Sequence, residues 1–310
     1  MRPTATLAAL AARHLCVQHT RTKPSTYREE SRLWQRTLLP AFGASTLLAE
    51  LVRETAAGAD GRIDRWFAEL AVKPYLANRA LNSLAHAFAL AERLRWVPAD
   101  SNPCRGIRRY PERARLRYPD RSELERLDAA LARLLAAGAV TDASADAIQA
   151  LALTGRRRNE ILRLAWRPGT SGARGWVDLG EGVLRLEDTK TGPQDVPLSR
   201  CALELFQRRA HARDASPWVF PSSRRQSEPL AGLQRAWERA CGAAGIAGAC
   251  IHSLRHSFAT RALEAGVDSR LVMGLLGHRD RRSLDRYQHP TIAALRRAAD
   301  ALDEVTTVTA

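Results

Sequence analysis

Helical periodicity stops between residues 99 and 121 of this 310-residue chain, and that break confines the fold to two separately organised parts. Pro103 and Pro111 cannot continue a helix, and Arg105, Arg108, Arg109, Arg113, Arg115, Arg117 and Arg121 crowd the same stretch. The boundaries read from this are a helical domain over 1–104, a basic linker over 105–119 and a second domain over 120–310. A run of arginines on extended chain can follow a nucleic-acid backbone and release its counterions. Arg105, Arg108, Arg109, Arg113, Arg115 and Arg117 are therefore the candidate nucleic-acid-binding residues. The bland alternative is a solvated connector.

Both flanking parts are mostly α by pattern. Thr26-Tyr27-Arg28-Glu29 fits a capping box ahead of Leu33, Trp34 and Leu38, with Pro40 expected to stop that helix. Trp66, Phe67 and Leu70 mark a second helix closed by Pro74, and Leu81, Leu84, Phe88 and Leu94 a longer one ending near Pro98. The second domain opens at Ser122-Glu123-Leu124-Glu125, read as another capping box, followed by Leu127, Leu131 and Leu134 at helical spacing. A further helical stretch is expected to run through Leu153 and past Gly155 to Trp166. Trp176 to Leu179, Val183 to Leu186 and Val196 to Leu198 are strand-like. The expected fold is an all-helical first domain plus a mainly helical second domain with a small antiparallel β-sheet.

Composition narrows the class of partner. The formal charge is +15, which favours a polyanion, nucleic acid ahead of an acidic membrane face. An Arg-rich genome would give the same number. Only Lys23, Lys73 and Lys190 are lysines; every other fixed cation is Arg, which does not release its proton near neutral pH. A lysine at 190 hints at a position that must titrate. Five cysteines without a CxxC suit reduced thiols and a cytoplasmic setting, and no apolar run has the roughly 20 residues that a membrane span requires. Residues 1–12 read as an amphipathic helix, since Arg13 and His14 interrupt any signal-like run.

Five short settings hold residues suited to chemistry. Arg157 lies in Thr154-Gly155-Arg156-Arg157-Arg158-Asn159-Glu160, where Glu160 can brace an arginine by a charge-assisted bond. Alone, Arg157 reads as a surface residue of an Arg-rich helix. Lys190 sits between two strand-like runs among the turn formers Thr189, Thr191 and Gly192, and alone is an ordinary turn lysine. His252 and Arg255 are three apart and share a helical face. His252 and His256 have the spacing of zinc ligands, but Ser253 stands where a zinc protease carries Glu, so no metal is expected. His278 follows Leu275-Leu276-Gly277, a helix-end signal, and Tyr287, the only tyrosine after position 120, comes nine residues later. Each could be packing.

Taken in order, these settings resemble the tyrosine recombinases, the phage integrase family, whose second domain carries Thr-Gly-x-Arg-x-x-Glu, a hairpin lysine, His-x-x-Arg, Leu-Gly-His and a tyrosine nine residues after that histidine. Thr154 to Glu160, Lys190, His252 to Arg255, Leu276 to His278 and Tyr287 match. The resemblance covers residues 120–290, and extends more weakly over the first domain through Lys23-Pro24-Ser25-Thr26 and Leu39-Pro40-Ala41-Phe42-Gly43, similar to a core-binding domain. Ser283 and Leu284 stand where members often have threonines, and Arg167 to Gly175 looks like a variant loop.

The resemblance implies a site-specific DNA recombinase that works without metal, ATP or any other cofactor. Tyr287 would be the nucleophile that forms a 3′-phosphotyrosyl bond. Arg157, Arg255 and His278 would hold the phosphate, His252 would be the base or hydrogen-bond partner, Lys190 the acid, and Glu160 a support. The two domains would close around double-stranded DNA carrying a specific recombination site. A helix through Ile292, Leu295, Ala299 and Leu302 would pack on its own domain or dock on a neighbour in a homotetramer on two duplexes, with an accessory directionality factor as a further partner. No arm-binding domain is expected before Leu7. Two other readings use the same fold: a nicking-closing topoisomerase, and a DNA-binding regulator that has lost catalysis.

Overall fold

A computed structural model describes residues 4–56, 61–112, 117–189, 192–212 and 215–277. Arg113, Arg115, Lys190, His278, Tyr287 and the segment from Ile292 to Leu302 lie outside the described residues. The chain divides into two compact units at Arg115–Leu116.

The regular elements of the first unit's described residues are helices: α1 (Leu7–Arg21), α2 (Pro24–Leu33), α3 (Leu39–Phe42), α4 (Leu48–Ala56), α5 (Arg62–Glu69) and α6 (Pro74–Arg93). The expected cap at Thr26 is not used. Helix α2 starts at Pro24, whose fixed φ suits a first helical position and whose missing N–H would have had no helical partner there. Nor does Pro40 stop the chain. A π-turn over Trp34–Leu38 widens the helix before it, and α3 carries Pro40 within its first two positions, so the helical path runs on to Gly43. Widening relieves the clash between a proline ring and the carbonyl four residues back. The core gathers Leu10, Trp34, Phe42, Leu81, Leu84 and Phe88, all essentially inaccessible. Inside it, Glu30 accepts from Ser83 and contacts His14 at 3.0 Å, and Trp34 Nε1 donates to Ser83 at 2.9 Å. Burial pushes the Glu30 carboxyl up, but the bonds from His14 and Ser83 prevail and hold it below the usual range.

Part of the Pro- and Arg-rich stretch packs on this unit. Cys104 belongs to its core, with Ile107 and Tyr110 against it. The Tyr110 ring stacks on Phe67 at 4.6 Å, and Asn78 both accepts from the Tyr110 N–H (3.0 Å) and donates to its carbonyl (2.9 Å).

The second unit holds α7 (Arg121–Ala136), α8 (Asp142–Thr154), α9 (Arg158–Leu162), β1 (Leu164–Ala165), β2 (Gly175–Asp178), β3 (Val183–Leu186), β4 (Gln194–Pro197), α10 (Arg200–His211), α11 (Gln234–Ala244), α12 (Ser253–Glu264) and α13 (Ser269–Leu276). The capping box of α7 is built on Asp120, not Ser122. Asp120 accepts from the Glu123 N–H at 2.8 Å and Glu123 returns the bond at 3.0 Å. Helix α8 does not continue past Gly155 either. Gly155 is left-handed (φ 60°, ψ 14°) and ends it, and a short α9 and strand β1 replace the expected helix to Trp166. A Cβ at Gly155 would lie 2.6 Å from Phe258 and 2.8 Å from Leu276, so conformation and space both require glycine.

The sheet runs in the order β1-β2-β3-β4. The β2-β3-β4 meander is antiparallel, with Leu184 opposite Val177 and Val196. The two-residue β1 joins β2 in parallel, so the sheet is mixed where pattern suggested a purely antiparallel one. Leu184, Leu186 and Val196 face a core shared with Ile148, Leu151, Ile161, Phe206, Phe220, Trp237 and Leu254.

Candidate active site

The turn that ends α8 places three consecutive residues on three different jobs. The Gly155 carbonyl takes Arg255, while the Arg156 and Arg157 side chains approach Glu160 from two directions, because the left-handed glycine reverses the chain before α9 begins. Arg157 is the N-cap of α9 and three-quarters buried. Its Nη1 lies 2.9 Å from Glu160 Oε1, and its backbone N–H donates to Glu160 Oε2 at 3.0 Å.

Glu160 is almost fully buried and serves both arginines. Arg156 Nε donates to Glu160 Oε2 at 3.0 Å, and Arg156 Nη2 is 2.9 Å from the same oxygen. Burial pushes the Glu160 carboxyl up; the charge of Arg156 and the bonds from Arg157 outweigh it and hold the carboxyl below its ordinary value. Burial likewise pulls the Arg156 guanidinium down against the pull of Glu160. Arg156 is thus no surface neighbour of Arg157 but a fully enclosed side chain.

Arg255, in the first turn of α12, is 3% exposed. Its Nη1 donates to the Gly155 carbonyl at 2.9 Å and its Nη2 to the Leu276 carbonyl at 2.7 Å. One arginine therefore grips the loop from which the other projects. The C-terminus of α13 presents a row of carbonyls carrying a partial negative charge, of which Gly274 O also takes the Gly277 N–H at 3.1 Å. Leu275 O accepts from Arg156 Nη1 at 2.8 Å, Leu276 O from Arg255, and Gly274 O from Gln194 Nε2. Gly277 (φ 66°) ends α13. A Cβ there would run into Gln194 Oε1.

His252 is the exposed N-cap of α12, with its ring 5.4 Å from that of His256, edge to face. Among the described residues no group of three or more His, Cys, Asp or Glu could hold a metal ion. Lys190 and His278 lie outside the described residues, but their neighbours do not. Thr189 Oγ1 donates to Gly192 O at 2.5 Å and closes the turn between β3 and β4, and Gly277 immediately precedes His278. Tyr287 likewise lies outside the described residues.

The candidate DNA-contact arginines differ among themselves. Arg105 is paired with Asp100 (2.5 Å) and Glu92 (3.5 Å), and Arg109 Nε donates to Asn82 at 2.7 Å. Arg117 forks onto Glu123 at 2.5 and 2.9 Å, while Arg108 is exposed. Sequence reasoning passed over Arg156 and Gln194. The i, i+4 spacing of Arg156 and Glu160 could have flagged the first; nothing local flags the second, which reaches its partners across 38 and 80 residues.

Among the described residues no helix is long and apolar enough to cross a membrane. The phage integrase family model matches residues 119–293. An integrase/recombinase of Escherichia coli is 33% identical over 162 residues, covering 47% of this chain and 45% of that protein. The tyrosine recombinase XerD of Pseudomonas putida is 36% identical over 130 residues, covering 38% and 43%. The chain thus spans less than half the length of these relatives. By fold, the chain is similar to a lambda integrase (75–356) dimer bound to a COC′ core site, with a TM-score of 0.67 at 20% identity over 89% of this chain and 96% of that one. It is likewise similar to the Tn1549 transposon integrase (aa 82–397) in complex with circular intermediate DNA, with a TM-score of 0.65 at 18% identity over 96% and 100%. With more than half its residues matched by the family model, this chain belongs to the phage integrase family.

Proposed function

We propose that this chain is a site-specific DNA recombinase that breaks and rejoins DNA through a 3′-phosphotyrosyl intermediate. The observation that carries the reading is the junction of two arginine-bearing segments 100 residues apart, where Arg255 binds the Gly155 carbonyl two residues before Arg157. Two guanidinium groups held from one loop suit the non-bridging oxygens of a single phosphate, where charge shifts during transfer. Holding them on carbonyls and Glu160 before DNA arrives avoids reorganisation at the moment of reaction.

In this reading the Tyr287 oxygen attacks phosphorus and gives its proton to His252, since a phenol with a pKa of about 10 needs a base near pH 7. The bond to the 5′-oxygen breaks, and Lys190 protonates that oxygen as it leaves. His278 adds a donor to the phosphate. A 5′-hydroxyl from another strand then attacks the phosphotyrosine, restores the diester and releases the tyrosine. The number of phosphoester bonds is unchanged throughout, so no ATP is consumed and no cofactor is needed. The partner is double-stranded DNA with a specific recombination site. A structural neighbour is a lambda integrase tetramer bound to a Holliday junction, which supports a homotetramer on two duplexes here. The setting is cytoplasmic, with an accessory factor setting direction.

The test is a nicked suicide duplex containing the cognate site. The wild-type chain traps a covalent protein–DNA adduct and Tyr287→Phe traps none. Equal binding by both without adduct in either would leave a DNA-binding regulator; relaxation of supercoils without exchange between two sites would leave a topoisomerase.

A further inference from the structure

We propose that Arg156 and Gln194 are positioning residues for the arginine clamp, an assignment that rests on the recombinase reading of the same site. Arg157 is held by the same carboxylate as Arg156, and Arg255 by a carbonyl adjacent to one that Arg156 holds. Arg156 shares Glu160 with Arg157. Arg156 also binds Leu275 O, one residue before the Leu276 O that Arg255 binds. Gln194 closes the set, accepting from Arg156 Nη1 at 3.2 Å and donating to Gly274 O. Three successive carbonyls at the end of α13 are thereby pinned by side chains from β4, from the α8–α9 turn and from α12.

Packing alone does not ask for this arrangement. An enclosed charge is a weak stabiliser, and an apolar side chain of similar volume usually serves a core at least as well. What a guanidinium supplies that a methionine cannot is several donors in a fixed fork. Here the fork spans Glu160, Gln194 and Leu275 O, so the turn bearing Arg157 and the helix end gripped by Arg255 cannot shift independently. The fit is close. A side chain on Gly277 would collide with Gln194 Oε1 and come within 3.5 Å of Arg156 Nη1. A displacement of about 1 Å at a reacting centre can lower a rate a hundredfold, which makes such a lock worth its buried charge.

The test compares the full-length wild-type chain with Arg156→Met and Gln194→Ala by two readouts. The first is cleavage of a suicide duplex with either an ordinary phosphodiester or a neutral methylphosphonate at the scissile position. Cleavage of the phosphodiester is expected to fall about tenfold or more in both variants, with DNA affinity held within about twofold. On the methylphosphonate, which has no charge for two guanidinium groups to match, each variant should return to within about threefold of wild type. An equal loss on both substrates assigns the pair a merely structural role, and no loss on either overturns the proposal. The second readout is nitrogen-15 NMR of the guanidinium groups without DNA. The Arg157 and Arg255 signals should show restricted rotation in wild type and averaging in the variants. Unchanged signals overturn positioning whether or not the chain cuts DNA. Averaged signals with no adduct from wild type overturn the recombinase reading alone. If Arg156→Met fails to fold, Gln194→Ala carries both measurements.

Discussion

Glu160 is a single carboxylate shared by two guanidinium groups and one backbone N–H, almost wholly out of water. Removing its charge leaves Arg156 enclosed without a counterion, so Glu160→Gln should cost about 3 kcal/mol of stability at neutral pH, as measured by urea denaturation. The pH dependence follows from the lowered carboxyl. In the unfolded chain a glutamate titrates near pH 4.3, and in the folded chain below that. Its contribution is complete above the unfolded value and is lost as pH falls through the folded one. The gap between wild type and variant should therefore narrow on going from pH 7 to below about pH 4. Arg157 and Glu160 were both legible as residues. That Arg156 would be enclosed with Glu160 was not, because a side chain's burial is decided by what packs over it, here Leu275, Gln194 and the end of α13.

At the scale of elements, local signals placed α5, α6, α7 and all three meander strands within a few residues, and failed where tertiary contacts or proline geometry overrode them. Val183–Leu186 is the strand that alternation predicts. The start of α7 is two residues earlier than the apparent box at Ser122, because Asp120 supplies the better-placed oxygen and Glu123 answers it. Asp120→Ala should lower the thermal midpoint of the chain by about 2–4 °C at pH 7, readable by calorimetry or circular dichroism. Pro40 reads as a stop and is instead carried by a π-turn, since a chain bound on both sides to a tight core widens locally more easily than it unwinds. Gly155 reads as a bend within one helix and is an end. Only Phe258 and Leu276, more than 100 positions on, show why no side chain fits there.

For the whole molecule, an excess of 15 positive charges predicts DNA binding that weakens steeply with salt. Replacing a phosphate-contacting arginine should make the log–log slope about one unit shallower. That outcome is expected for Arg108→Ala in filter or fluorescence titrations at several salt concentrations. A smaller change is expected for Arg105→Ala, because Arg105 is already matched by Asp100 and Glu92. By itself the sequence determined the family, and from it came the two-part reading and the residue types proposed for the chemistry. Those depend on spacing along the chain, on periodicity and on net charge, which are properties of a string. Only the tertiary structure decided that Arg255 closes on the Gly155 carbonyl, that Arg156 is interior and that Gln194 bonds Arg156 and the end of α13. Such contacts depend on how far segments 38 to 119 residues apart approach one another, and no local pattern records that distance.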